Sequence, residues 1–135
     1  MRTLRFASII LSALFATVAA AADFDGSVPL ACTVSQALDC LPTKASCDSD
    51  KSSTNTNKVL TIDFANKQIS VPNRKAPLST LHTTTNTDSL VLQGADLLFA
   101  WSALIDRKTG ALTVALADSA GAFVYFGTCK AVPKK

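Results

Sequence analysis

The chain has 135 residues, 48% of them hydrophobic, with 13 Lys+Arg against 10 Asp+Glu and one histidine. That length supports one core with little surplus, and the near balance of charge gives no footing for a basic nucleic-acid surface. Glutamate is absent, so any acid–base pair would have to come from aspartates and His82.

Arg2 and Arg5 precede an apolar run from Phe6 to Val18, and Ala20-Ala21-Ala22 follows just before Asp23. These are the ordered regions of a secretory signal peptide over 1–22, leaving a single β-domain over 23–135 in a periplasmic or secreted protein. The apolar run is too short for a spanning helix, and no later stretch approaches the roughly 20 apolar residues a bilayer requires, so no membrane span is expected in the mature chain. Losing Arg2 and Arg5 brings the cations closer still to the carboxylates. Cys32, Cys40, Cys47 and Cys129 form an even set whose spacings do not match the short Cys-x-x-Cys pairs of zinc sites. In an exported chain they read as two disulfides.

Val28 to Thr33 is a candidate strand, and Thr33 to Leu41 is the one place where a helical turn or two would fit. A mobile polar loop is expected over about 43–58, which has almost no large apolar residue. Leu60, Ile62 and Phe64 then alternate with polar residues, and a two-residue turn at Asn66-Lys67 would set Phe64 against Ile69 and Ile62 against Val71. Pro72 to Pro77 is a loop that no strand interior tolerates. Leu78 to Thr84 reads as one strand with Leu81 and Thr83 inward and His82 outward. After the polar turn Thr85–Asp88, Ser89 to Gln93 is a strand, and a turn at Gly94-Ala95 would set Leu92 against Leu97 and Leu90 against Phe99.

The last third is the most tightly specified. Leu97, Phe99, Trp101, Ala103 and Ile105 occupy one face of a strand, and Arg107-Lys108-Thr109-Gly110 is a loop ending in the residue that enters the left-handed region without steric cost. Counting across that loop pairs Ile105 with Leu112, Ala103 with Val114 and Trp101 with Leu116. The similar turn Asp118-Ser119-Ala120-Gly121 pairs Ala117 with Ala122, Leu116 with Phe123 and Val114 with Tyr125. Turn position and apolar alternation agree, and a one-residue slip would reverse every face.

The expected fold is therefore all-β, an antiparallel meander of about seven or eight strands making a small closed or nearly closed barrel. An antiparallel first and last strand would bring Cys32 to Cys129, leaving Cys40–Cys47 to clip one loop.

No catalytic constellation, metal set or cofactor motif stands out. Asp48-Ser49-Asp50 with Asn55 and Asn57 lacks the order of a calcium loop. Asp106 and Asp118 suit capping of their turns. Phe99, Trp101 and Tyr125 face inward as core filling or as the lining of a ligand site, although a barrel with strands this short is expected to be packed solid. On the outer face, Leu104, Thr113 and Phe126 should form one row and Ser102, Ala115 and Val124 the next. Leu104, Phe126, Val124 and Ala115 thus make a weakly polar patch, covered either by the N-terminal segment or by a partner protein.

The chain resembles a group of small exported bacterial proteins of uncharacterised function. The shared features are a cysteine-rich N-terminal stretch, here Cys32, Cys40 and Cys47, an Ile-Asp strand at Ile62-Asp63, an aromatic strand leading from Trp101 to Thr109-Gly110, and a closing Gly-x-Cys at Gly127 and Cys129. It is weakly similar to periplasmic lysozyme inhibitors of the C type, whose Ser-Gly-Ala-x-Tyr signature is partly echoed by Ser119-Ala120-Gly121-Ala122-Phe123-Val124-Tyr125. The functional expectation is a non-enzymatic domain acting through contact with another protein in the periplasm or outside the cell. Alternatives are inhibition of a hydrolase such as lysozyme, through Thr85–Asp88 or Ser119–Gly121, and a small barrel that binds apolar ligands.

Overall fold

In the computed structural model, which describes residues 24–50 and 57–132, the regular elements are all β-strands. The signal segment and its cleavage point lie outside the described residues. The strands are β1 (Leu30–Cys40), β2 (Asp48–Ser49), β3 (Val59–Asp63), β4 (Gln68–Ser70) and β5 (Leu78–Ser79), followed by β6 (His82–Thr85), β7 (Ser89–Ala95), β8 (Ala100–Asp106), β9 (Ala111–Ala117) and β10 (Ala122–Ala131). They form one antiparallel sheet in the order β5-β4-β3-β1-β10-β9-β8-β7-β6, with β2 paired to the far half of β1. The sheet curls strongly into a half-barrel, and its two edge strands, β5 and β6, are consecutive in the chain.

The β8–β9 and β9–β10 registers are those that turn chemistry and alternation specify together. Trp101 lies opposite Leu116, Ala103 opposite Val114 and Ile105 opposite Leu112, while Tyr125 lies opposite Val114 and Phe123 opposite Leu116. Each turn is held by its leading aspartate. The Asp106 carboxylate accepts from the Lys108 amide (3.0 Å) and from the amide and hydroxyl of Thr109 (2.7 and 2.8 Å). Asp118 accepts from the amides of Ala120 (2.8 Å) and Gly121 (3.0 Å). Gly110 adopts φ +72°, the left-handed conformation its place in the turn requires.

First and last strands close the fold. Cys32 stands directly opposite Cys129 and is disulfide-bonded to it, the Cα atoms being 3.9 Å apart across a sequence separation of 97. Cys40 and Cys47 form the second disulfide. In the chain-entropy account the long cross-link stabilises the fold by on the order of 4 kcal/mol. The core beneath it contains Leu30, Ile62, Leu90, Leu92, Ile105 and Leu112, all fully buried, each contributing about 1.5–3 kcal/mol on leaving water.

Several expectations are corrected. The Thr33–Leu41 segment is strand, because β1 pairs with β10 along its whole length and absorbs a bulge between Val34 and Gln36 instead of turning helical. The turn expected at Gly94-Ala95 falls three residues later, where the Asp96 amide donates to the Phe99 carbonyl (2.8 Å) and the Asp96 carboxylate accepts from the Leu97 amide (2.7 Å). Leu92 therefore faces Ala103 and Leu90 faces Ile105, while Leu97, expected inside, is 97% exposed. Gly94 stays within β7 because a Cβ there would stand 2.3 Å from the Trp101 ring. The first hairpin is displaced too. Ile62 pairs with Ile69, and the turn is Phe64–Lys67, with Asp63 accepting from the Asn66 backbone (3.0 Å) and side-chain (2.7 Å) amides and Lys67 at φ +53°.

Leu78 to Thr84 is two strands, not one. At Thr80–Leu81 the chain leaves one sheet edge for the other, so the Thr80 amide donates to the Lys67 carbonyl (2.9 Å) and the Leu81 amide to the Gln93 carbonyl (2.9 Å). Leu81, expected inside, is 72% exposed, and His82 is exposed opposite Gln93. This division and the short β2 raise the strand number above the expected eight. Residues 43–49 of the polar loop are exposed, and 51–56 lie outside the described residues. Of the described N-terminal residues, Phe24 packs into the core at the Arg107–Gly110 end of the half-barrel.

Candidate functional site

Alternation sends the apolar side chains of β8, β9, β3 and β4 to the concave face, and they do not fill it. A cavity of about 320 Å³ remains, within the range of roughly 300–1,000 Å³ usual for small-molecule sites. The expectation of a solidly packed interior is thereby overturned. Its buried floor is Val34, Ile62, Ile69, Trp101, Ala103 and Leu112, and its half-buried wall includes Leu60, Val71, Val114 and Leu116. Phe99 and Tyr125, like Trp101, belong to the lining. Ala103 is a small floor residue between the longer Leu92 and Val114 on the adjacent strands.

The two ends of the half-barrel differ. At one, the Phe24 amide donates to the Arg107 carbonyl (3.3 Å), and the Phe24 ring lies 2.7 Å from where a Cβ on Gly110 would be. Phe64 and Leu90 lie against Gly26. At the other end the lining turns half-buried and then exposed through Phe99, Pro72, Asn73, Arg74 and Lys58, and this is the mouth. Arg74 spans two of its loops: the guanidinium pairs with the Asp96 carboxylate and lies over the Phe99 ring, 5.8 Å from its centroid. The Leu97 amide chiefly, and then Arg74, hold the Asp96 carboxyl below the usual aspartate range.

Trp101 is the most constrained lining residue. It is 5% exposed, and its indole N–H is buried without a hydrogen-bond partner. A Cβ on Gly94 would fall 2.5 Å from Trp Cε2, the atom bonded to that nitrogen, and 2.6 Å from the Ser79 carbonyl oxygen. Backbone of β7, backbone of β5 and the indole thus meet where only glycine fits.

On the convex face the anticipated rows form. Leu104, Thr113 and Phe126 are successive partners, as are Ser102, Ala115 and Val124. Leu104 is 46% exposed, Ala115 is exposed, and Val124 and Phe126 are half-buried. The rows extend without charge to Val91 and Gln93 on β7 and to Gln36 and Leu38 on β1. Of the segments considered for enzyme inhibition, Thr85–Asp88 is tied down by Arg107, whose guanidinium donates to the carbonyls of Asn86 (2.8 Å) and Thr87 (3.3 Å). Ser119–Gly121 is a tight turn closed by the Asp118 amide donating to the Gly121 carbonyl (3.0 Å).

Among the described residues no group of three or more His, Cys, Asp and Glu is placed to hold a metal ion, and Asp48 is engaged with Lys44. The nearest partner of His82 is the Thr84 hydroxyl, 2.7 Å from Nε2. No helix among the described residues is long and apolar enough to cross a membrane. Two formed disulfides are consistent with a protein that works outside the cytoplasm. The sequence reading missed the mouth: Pro72–Arg74 and Lys58 carry no periodicity signal, and only the curl of the sheet brings them beside Phe99. No family model, curated protein or solved structure matches the chain.

Proposed function

We propose that this is an exported, non-enzymatic binding protein, periplasmic or secreted, whose curled sheet holds a small apolar ligand. The observation that carries this reading is the cavity of about 320 Å³, open past Phe99, Arg74 and Lys58, with a floor of aliphatic side chains and the Trp101 ring. An apolar space of this size lacks the contacts a packed core would supply, and an apolar ligand would restore them. Export is supported by the ordered N-terminal signal regions and by the two disulfides.

Trp101 is the single tryptophan, so its emission reports on the cavity alone. Titration with decanol should shift that emission saturably, and Val114→Phe, which adds a ring to the half-buried wall, should weaken the binding. Emission indifferent to decanol, or equal binding by the variant, would rule the reading out.

A second reading, contact with another protein, is favoured by the uncharged convex rows centred on Leu104 and Phe126. Leu104→Asp should then abolish capture of a specific partner from a periplasmic extract while leaving decanol binding in place. Identical capture profiles for the two proteins would count against it.

A further inference from the structure

We infer that the ligand carries an anionic head on its apolar chain, and that Lys58 receives this head at the mouth. The inference rests on the cavity being a ligand site and specifies what that site selects.

Among the described residues the charged members of the lining are Lys58 and Arg74, both cationic, and none is a carboxylate. Their situations are different. Arg74 is neutralised by Asp96, its Nε donates to the Ala76 carbonyl (3.4 Å), and it is stacked over Phe99. Lys58 has no ion pair and no side-chain hydrogen bond among the described residues, although its backbone is firmly placed. The Val34 amide donates to the Lys58 carbonyl (3.2 Å), and the Asn57 amide donates to the Val34 carbonyl (2.7 Å) with Asn57 at φ +61°. The root of the side chain is therefore fixed against β1, while the ammonium is free to turn over the opening. A long methylene stem along apolar surface with the charge kept in water is the favoured disposition of lysine at such a boundary.

A wholly apolar ligand gives this cation nothing to do, and a cationic head would meet uncompensated positive charge. An anionic head meets one free ammonium, with the compensated Arg74 beside it, while the chain occupies the aliphatic floor.

The test uses three probes of equal chain length, decanoate, decanol and decyltrimethylammonium, titrated below their micelle concentrations against Trp101 emission. Decanoate should bind about three- to fivefold more tightly than decanol, the scale of a partly exposed ion pair, and the trimethylammonium compound most weakly. Added salt should narrow the gap. Lys58→Gln should erase the difference between decanoate and decanol, and Lys58→Arg should restore it. Equal affinity for decanoate and decanol in the unaltered protein, or a preference that survives Lys58→Gln, would overturn the assignment of the head group while leaving the cavity a ligand site. Binding of none of the three would overturn both.

Discussion

Asp106 illustrates how one side chain can hold a turn. Its carboxylate sits below the usual aspartate range, first because of the Thr109 amide, then the Thr109 hydroxyl and the Lys108 amide, with the Lys108 charge adding to them. A group whose folded-state pKa is depressed contributes stability above its unfolded value and loses that contribution as pH falls through the folded one. Asp106→Asn should therefore lower the urea midpoint at neutral pH, and the gap from the parent protein should close as the solution is acidified through and below the aspartate range. Asp25 and Asp96 are depressed as well, by Ser27 and by Leu97 with Arg74 respectively. They remain in both proteins and cancel from the comparison. A gap that persists undiminished in acid would mean that the side chain acts through shape and not charge. The capping role was legible in the sequence because an aspartate heading a Gly-ended loop has few other uses.

At the scale of strands, facing was legible and turn position less so, for one physical reason. Alternation has period two, so it fixes which side chains share a face but leaves registers that differ by an even count equally satisfied. The two displaced hairpins shift by such counts: Ile69 meets Ile62 instead of Phe64, and Leu92 meets Ala103 instead of Leu97, with every face preserved within the paired segments. What decides among the registers is local hydrogen bonding by Asp63 and Asp96 and the close approach at Gly94, none of which hydropathy records. Leu97 and Leu92 separate the alternatives. Leu97→Ser, at the tip of the β7–β8 turn, should change stability by no more than about 0.5 kcal/mol. Leu92→Ala should cost about 2–5 kcal/mol. Urea denaturation at constant slope measures both, and a comparable loss from the two would restore the earlier turn.

For the molecule as a whole, closure through β1 and β10 and both disulfides could be read from the sequence, because strand direction and four cysteines leave few consistent arrangements. The cavity could not. Phe99, Trp101 and Tyr125 were placed on the inner face, but empty volume depends on how far the sheet curls and on where loop 71–77 settles over it, and neither is encoded in alternation. Pairing the first and last of these strands in mid-sheet has a temporal consequence. β1 is made before the other strands, yet one of its neighbours is β10, the last of them, so during synthesis it has β2 and β3 as partners and one bare flank. Through that interval Cys32 has Cys40 and Cys47 nearby in the chain and Cys129 not yet in existence. The bond that locks the structure is thus the last that can form, and until then the oldest strand must be kept from settling for its nearest thiols.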